Sequence, residues 1–369
     1  MAQTEYLSPL SLLDDTGRPQ NFGWSKQPGF FYDPALVYAP RHRITESDRY
    51  IVHSPTHLIV FEIRDDGWLG YMGISVISMR EKKRSTQTFK TFFPLGAYEL
   101  PTSSVTGSVR WRRKKTHLDF ISMEDGVKII KAEVPKFGHN RSLRGELVLS
   151  EPEPPPEPSG EPPAGEPPAG ELPAGEIPHA GPSQSLVTNQ AWLSEKNAFR
   201  YTRCSPWYTV EGVIQFGSSE IIFTKGNGWG IFDWNRGARP KTDIRYWAAA
   251  CGMSGGRQLS FCAGYSWADF SHGTENGFFI DGQLHKLDRI TFHIPLDWLS
   301  PWRFSSNDSR LEMTFYPHQE RIDRYGLFFY NSSRRQIFGF FSGRMRLDDG
   351  SAIEFQNLTG FAERGRVQF

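Results

Sequence analysis

The chain has 369 residues, enough for two domains with separate cores, and 38% of them are hydrophobic and 14% aromatic. Its 42 lysines and arginines nearly balance 41 aspartates and glutamates, which argues against a nucleic-acid-binding protein. No stretch approaches the roughly 20 apolar residues that span a bilayer, and no secretory signal pattern opens the chain. We therefore expect a cytoplasmic protein without an integral membrane segment.

The first half of the chain shows the pattern of antiparallel β-structure. Two apolar runs, His57–Ile63 and Trp68–Ser78, flank a turn that ends in Asp66-Gly67. An Asp-Gly pair between apolar runs indicates a hairpin, because both central residues of a type I′ turn need positive φ. Further Asp-Gly pairs stand at 125–126, 281–282 and 349–350, and no long amphipathic helix pattern interrupts them. The predicted fold class is all-β, with two antiparallel domains that form barrels or curved sheets.

One basic cluster, Arg110–Lys115, contains a tryptophan at position 111. Trp111 would stack on a base if this were a nucleic-acid patch. Lysines and arginines also protect an exposed edge strand from unwanted pairing. A single short cluster on a neutral chain favours the edge strand.

The composition changes abruptly at 151–184, where a Gly-Glu-Pro-Pro-Ala unit repeats with drift. Proline removes backbone donors, and the segment carries almost nothing to bury, so we predict a disordered linker of polyproline character. The linker divides an N-terminal domain, 20–150, from a C-terminal domain, 185–369. A docking site for a proline-reading domain is the alternative use of this segment.

The stretch from Gly226 to Gly264 is the richest in chemistry. One acid, Asp233, stands among arginines and large rings, and buried carboxylates need a cationic partner. We predict that Arg236 or Arg245 pairs with Asp233. The aromatic neighbours are Trp229, Phe232, Trp234, Tyr246 and Trp247. One interpretation is a core ion pair that fixes the strand register; the other is a water-poor pocket whose acid has a raised pKa.

Other candidate groups come later in the chain. Glu275-Asn276 and Asp281-Gly282 are turn signals too close together for two tight hairpins, so we assign the hairpin to Asp281-Gly282 and leave Glu275 and Asn276 free to serve a site. His285 follows that hairpin, and Glu363 ends a late predicted strand. The three cysteines, 204, 251 and 262, lack metal-ligand spacing and are predicted to be buried free thiols.

Several segments resemble the family called domain of unknown function 2804. They are GIFDWNRG, WAAACG, ENGFFIDGQLHKLDRITF, GWSKQP near the N-terminus, and the closing GRMRLDDG and LTGFAE. The resemblance implies a lipocalin-like architecture with a pocket, related to carotenoid hydratases, tocopherol cyclases and Diels–Alder cyclases. In those relatives an acid-containing motif precedes the position of Gly237. Trp234 stands where they often carry histidine, which weakens the transfer of an acid–base role to Asp233.

Two functions remain open at this stage. The first is a cofactor-independent isomerase, hydratase or cyclase that protonates an apolar small molecule, with Asp233, Glu275, Arg236 and His285 as catalytic groups. The second is a carrier that holds a lipid-like ligand unchanged; a purely structural or interaction role is weaker. For both the enzyme and the carrier, the predicted ligand-binding residues are Trp229, Trp234, Tyr246, Trp247, Asn276 and Glu363. No cofactor motif or metal-ligand pattern is present, so we expect neither cofactor nor metal.

Overall fold

The computed structural model describes residues 3–138, 141–152, 183–327 and 330–368. Within these residues the fold is all-β, with 24 strands and a single-turn 3-10 helix at Arg41–Arg43. The strands up to the predicted linker are β1 (Leu10–Ser11), β2 (Gly23–Ser25), β3 (Phe30–Phe31), β4 (Ile44–His53), β5 (His57–Asp65), β6 (Leu69–Ser78), β7 (Arg84–Phe92), β8 (Gly107–Arg113), β9 (Thr116–Ser122), β10 (Lys128–Phe137) and β11 (Arg141–Ser150).

The remaining strands follow residue 183. They are β12 (Leu186–Ala191), β13 (Phe199–Phe216), β14 (Ser219–Phe223), β15 (Trp229–Ala238), β16 (Thr242–Ser254), β17 (Arg257–Tyr265), β18 (Gly277–Ile280), β19 (Gln283–Lys286), β20 (Ile290–His293), β21 (Trp302–Ser306), β22 (Leu311–Leu327), β23 (Tyr330–Arg346) and β24 (Ala352–Gln368).

Two large antiparallel sheets carry the fold. The first follows the order β7-β6-β5-β4-β15-β13-β11-β10-β9-β8, with β2, β12 and β14 attached beside β13. The second follows the order β19-β18-β17-β16-β24-β23-β22-β21-β20. Strands β12 to β15 follow the predicted linker in sequence but belong to the first sheet. The chain passes to the second sheet only after β15, between Ala238 and Thr242. Domain boundaries at 150 and 185 remain a prediction, because pairing within a sheet does not show which parts fold alone.

Both sheets curl, which confirms the curved-sheet prediction. Phe89 of β7 and Trp111 of β8 belong to the two ends of the first sheet's path, yet their ring centroids lie 5.2 Å apart. In the second sheet, Phe261 of β17 meets Phe341 of β23 with centroids 4.8 Å apart. Because Trp111 is buried in this contact, its ring is not free to stack on a base. The basic cluster lies on β8, at the edge of the first sheet, as predicted.

The four Asp-Gly pairs all lie at hairpin turns. Asp281 and Gly282 both have positive φ, of 47° and 78°, as a two-residue type I′ turn requires. In the other three turns only the glycine has positive φ, among them Gly67 at 75°. The turn at Asp281-Gly282 joins β18 to β19 and leaves Glu275 and Asn276 in the preceding loop, which agrees with the assignment made from the sequence.

The central strands of each sheet are buried on both faces, so their alternate side chains enter different cores. Alternate residues of a strand point to opposite faces. In β16, Ala248 and Ala250 enter a core made within the second sheet, whereas Trp247, Ala249 and Cys251 join a core shared with the first sheet. All three cysteines are buried free thiols, as predicted. None of the helical segments in the described residues is long and apolar enough to cross a membrane.

Most of the predicted linker, 153–182, lies outside the described residues. Its described ends pack on the body and on each other. The Ser183 N–H donates to Glu151 Oε2 at 3.3 Å. Gln184 accepts from Trp207 Nε1 at its carbonyl oxygen, and its own N–H donates to Gly282 O. The chain therefore leaves and re-enters the body at neighbouring points.

We predict that removing residues 153–182, and joining the ends with a short Gly/Ser link, changes the melting temperature by no more than a few degrees. Extending the deletion through Gln184 should lower it further, because the hydrogen bonds to Trp207 and Gly282 are lost. Thermal unfolding followed by circular dichroism measures both variants. If the shorter deletion lowered the melting temperature as much as the longer one, the prediction that residues 153–182 contribute little to stability would be wrong.

Candidate functional site

A layer of charged side chains lies between the two sheets, and Arg49 of β4 is at its centre. Its Nε and Nη2 donate to Asp233 Oδ2 at 3.0 and 2.8 Å. Its Nη1 donates to both carboxylate oxygens of Glu363, at 3.0 and 2.8 Å. Asp233 lies on β15 of the first sheet and Glu363 on β24 of the second, so one guanidinium joins the two sheets.

Aromatic rings and amides complete the surroundings of Arg49. The guanidinium carbon lies 4.9 Å from the ring centroid of Trp247 and 5.3 Å from that of Phe361, a cation–π arrangement. Asn235 Nδ2 donates to the free oxygen of Asp233 at 2.9 Å. Gln336 Nε2 donates to Glu363 Oε2 at 3.0 Å. Donors therefore reach both oxygens of each carboxylate.

Similar pairs extend the layer on either side. Arg334 of β23 donates to both oxygens of Glu62 on β5, at 2.8 and 2.6 Å, and again joins the second sheet to the first. Tyr71 Oη also donates to Glu62 Oε1 at 2.9 Å. At the other side, Arg245 donates to Glu275 at 2.6 and 3.2 Å. The layer is thus a network of mutually satisfied ion pairs.

The arginines of the network keep Glu363 and Glu62 ionised. Burial acts to raise the pKa of Glu363, but the charges of Arg49 and Arg334 outweigh burial and hold this pKa below its ordinary value. Burial also acts to raise the pKa of Glu62, but the charge of Arg334 outweighs burial and holds this pKa well below its ordinary value. A carboxylate held in this way does not donate a proton near neutral pH, so neither glutamate has the raised pKa of a general acid.

Arg236 does not pair with Asp233, and that prediction is wrong. The two are three residues apart in one strand, so their side chains leave opposite faces of the sheet. Arg236 instead donates from Nη1 to Ser47 O at 3.0 Å and lies 2.8 Å from Asp48, beneath the Trp234 ring at 4.3 Å. Trp234 is likewise buried on that face, so its ring does not form the predicted wall beside Asp233.

A cavity of about 130 Å³ lies within the charged layer. This volume corresponds to roughly four water molecules and is below the usual size of a pocket for an organic ligand. The charged residues around it, with the amide of Asn235, are Arg49, Glu62, Arg64, Asp66, Arg200, Asp233, Arg236, Arg239, Asp243, Arg245, Arg334, Glu363 and Arg366. A space so small and so charged does not suit an apolar molecule.

A second space, which we call the aromatic groove, has about 970 Å³ and opens at one end of the second sheet. Tyr246 lines it and leaves β16 on the face opposite to Trp247, so the groove and the charged cavity are on opposite faces of one strand. The other aromatic and apolar residues around it are Leu193, Tyr265, Trp267, Ala268, Phe270, Ile290, Phe292 and Ile294. Its size is that of a pocket for an organic ligand.

The remaining predicted site residues are dispersed. His285 Nδ1 lies 2.8 Å from an Asp348 oxygen, and His285 is absent from the linings of both spaces. Trp229 is buried in the core shared by the sheets. Asn276 borders the groove, but its amide accepts from Gly264 N–H at 2.8 Å and donates to Asp288 O at 2.6 Å. The structure therefore brings Asp233, Trp247 and Glu363 together around Arg49, and Glu275 joins the same charged layer through Arg245. Trp229, Trp234, Tyr246, Asn276 and His285 lie elsewhere.

Sequence reasoning missed Arg49, Glu62 and Arg334. A signal for Glu62 was present, because it interrupts the apolar run LIVFEI of β5, and Arg49 directly precedes the apolar run YIV of β4. A charged residue on a strand with two buried faces needs a buried partner. The partner cannot be identified from one sequence, since Arg49 and Glu363 are 314 positions apart.

Asp233→Asn should lower the free energy of unfolding by about 1–3 kcal/mol, because Arg49 keeps Glu363 as a partner. Arg49→Met should cost about 3–5 kcal/mol, because two buried carboxylates lose their cation. Asn235→Ala removes one hydrogen bond to the Asp233 carboxylate but no charge, and serves as the control at about 1.5 kcal/mol. Urea unfolding measures all three. A neutral or stabilising Asp233→Asn would instead indicate an acid retained for function.

The stability should also depend on pH in a defined direction. Glu62 and Glu363 have folded-state pKa values below the ordinary 4.5, so their stabilisation is present above that pH and is lost as pH falls. The free energy of unfolding should therefore decrease below about pH 4.5, measured by urea titrations at successive pH values. Glu363→Gln should be less stable at pH 7 and show a shallower decrease. If the free energy of unfolding decreased equally with falling pH in the native protein and in Glu363→Gln, Glu363 would not contribute to the pH dependence.

Comparisons with known proteins identify the fold and the family. A crystal structure of CghA matches with a TM-score of 0.53 at 10% identity, over 97% of this chain and 96% of that chain. The crystal structure of CghA with Sch210972 gives 0.50 at 8% identity, over 89% of each. Kievitone hydratase from Nectria haematococca gives 0.42 at 7% identity, over 87% and 88%.

At 8–10% identity, the similarity to CghA shows a shared fold and does not indicate that the two proteins bind the same ligand. Comparison with curated protein sequences gives no significant match. The family model described as domain of unknown function (DUF2804) matches residues 3–369, which agrees with the resemblance seen in the sequence, and the chain belongs to that family.

Proposed function

We propose that the protein binds an apolar, ring-bearing small molecule in the aromatic groove. The observation that carries this proposal is the exposure of large rings around a space of ligand size: Tyr265 is 49% and Trp267 is 53% exposed beside a groove of about 970 Å³. Covering roughly 200 Å² of such surface contributes about 5 kcal/mol before the costs of association. Exposed rings grouped around a concavity are typical of binding sites.

The groove is preformed, which favours binding. Tyr265 stacks on Phe270 with centroids 5.7 Å apart, and Tyr246 lies 6.2 Å from Tyr265 and 6.3 Å from Phe292. These contacts fix the ring orientations before a ligand arrives. Rings held on strands β16, β17 and β20 lose little side-chain freedom on binding.

The residues that line the groove suit a non-catalytic carrier better than an enzyme that uses acid–base catalysis. Among the described residues, Asp269 is the one acid in its lining, and a carboxylate oxygen of Asp269 accepts the Ser271 N–H at 2.9 Å. Asp233, Glu275 and Glu363 are not part of the lining. A carrier needs aromatic walls but no proton donor, and that is the set of groups the groove offers.

A cofactor-independent isomerase, hydratase or cyclase is the second candidate. The observation that favours it is the convergence of Asp233 and Glu363 on the cavity between the sheets. The small volume of this cavity, and the low pKa of Glu363, argue against it. The three free thiols suit a reducing compartment, so we also propose a cytoplasmic location.

The neutral fluorescent probe 1-pyrenebutanol tests binding at the groove. We expect saturable binding, followed by probe anisotropy, that weakens about tenfold or more in Tyr265→Ala because a groove wall is lost. Tyr316→Ala is the matched control, since Tyr316 is 48% exposed and does not line the groove. Absence of saturable binding, or equal weakening by both substitutions, would refute the proposal.

A further inference from the structure

One arginine, Arg289, lines the aromatic groove, and a second, Arg364, lies against the ring of Tyr246, which forms part of its wall. Arg289 precedes β20, lines the groove and is exposed. Arg364 of β24 lies opposite Tyr246 across the strands, with its guanidinium carbon 5.8 Å from that ring centroid. The buried Nε of Arg364 has no hydrogen-bond partner in the part of the chain that the structure describes. Within the same residues, neither side chain makes an ion pair.

The acids nearest to these arginines are already engaged. Asp288 precedes Arg289, but its two oxygens accept from the amides of Gln3, at 2.6 Å, and Asn307, at 2.9 Å. Asp269, across the groove, accepts a backbone N–H from Ser271. The groove lining therefore presents rings together with one guanidinium, that of Arg289, which makes no direct ion pair with an acid among the described residues.

We infer that the ligand of the groove is an anionic amphiphile: an apolar ring system that carries a carboxylate or a similar oxyanion. This inference rests on the proposed function and names its ligand class. A guanidinium matches a carboxylate with two parallel hydrogen bonds, and charge-assisted bonds of this kind are stronger than neutral ones. The rings would cover the apolar part of the ligand, while Arg289 at the open rim would hold the anionic end.

The charged cavity between the sheets is the competing location for an anion. Its central arginine, Arg49, already donates to two carboxylates, and Arg334 donates to both oxygens of Glu62. An anion bound to Arg49 or Arg334 would have to displace a buried carboxylate from its partner, which costs more than binding the exposed Arg289. The observations favour the groove.

The test compares two probes that share the pyrene ring and differ in charge, 1-pyrenebutyrate and 1-pyrenebutanol. The native protein should bind the carboxylate about tenfold more tightly than the alcohol. Arg289→Gln should remove most of this preference by weakening only the carboxylate, and Arg364→Gln should remove part of it. Arg303→Gln is the control, because Arg303 is exposed, makes no ion pair among the described residues and is absent from the groove lining.

The outcomes separate the two proposals. Equal affinity for both probes, with Tyr265→Ala still weakening them, would overturn the anionic ligand and leave the groove as a binding site. A preference that survives in both Arg289→Gln and Arg364→Gln would also overturn it. Binding of neither probe would overturn the proposed function, and this inference with it. Anisotropy titrations at low and high salt complete the test, since a charge-based preference should shrink in high salt.

Discussion

The bond between Arg49 and its two acids is the constraint on which the arrangement of the sheets depends. A guanidinium buried between sheets is unfavourable unless its donors are satisfied, and Asp233 and Glu363 satisfy them from opposite sides. Burying hydrophobic surface alone would allow the sheets to slide. Two charge pairs that cross the interface, at Arg49 and at Arg334, fix one relative position.

This constraint separates the charges from the groove. Strand β16 sends Arg245 and Trp247 toward the charged layer and Tyr246 toward the groove, because side chains alternate along a strand. The acids that make the layer stable are therefore kept away from the rings that suit a ligand. For this reason we propose that the charged layer serves the structure and that the groove serves ligand binding.

The sequence predicted the fold better than the site. Hairpins at Asp66-Gly67 and Asp281-Gly282 follow from local turn chemistry, and the all-β class follows from strand-length apolar runs. The site depends on which strands become neighbours, and this is not a local property. Asp233 was recognised as a buried acid, but its partner lies 184 positions away on β4. Arg236 was chosen for its closeness in sequence, although an odd spacing in a strand places it on the other face.

A crystal structure of the protein with 1-pyrenebutyrate would show whether the ligand and the buried ion pairs occupy separate places in the molecule. We expect the pyrene ring against Tyr246, Tyr265 and Trp267, its carboxylate at Arg289, and Arg49 still joined to Asp233 and Glu363. A pyrene bound between the sheets beside Asp233, with the Arg49 bridge broken, would contradict the account and favour catalysis in the charged cavity.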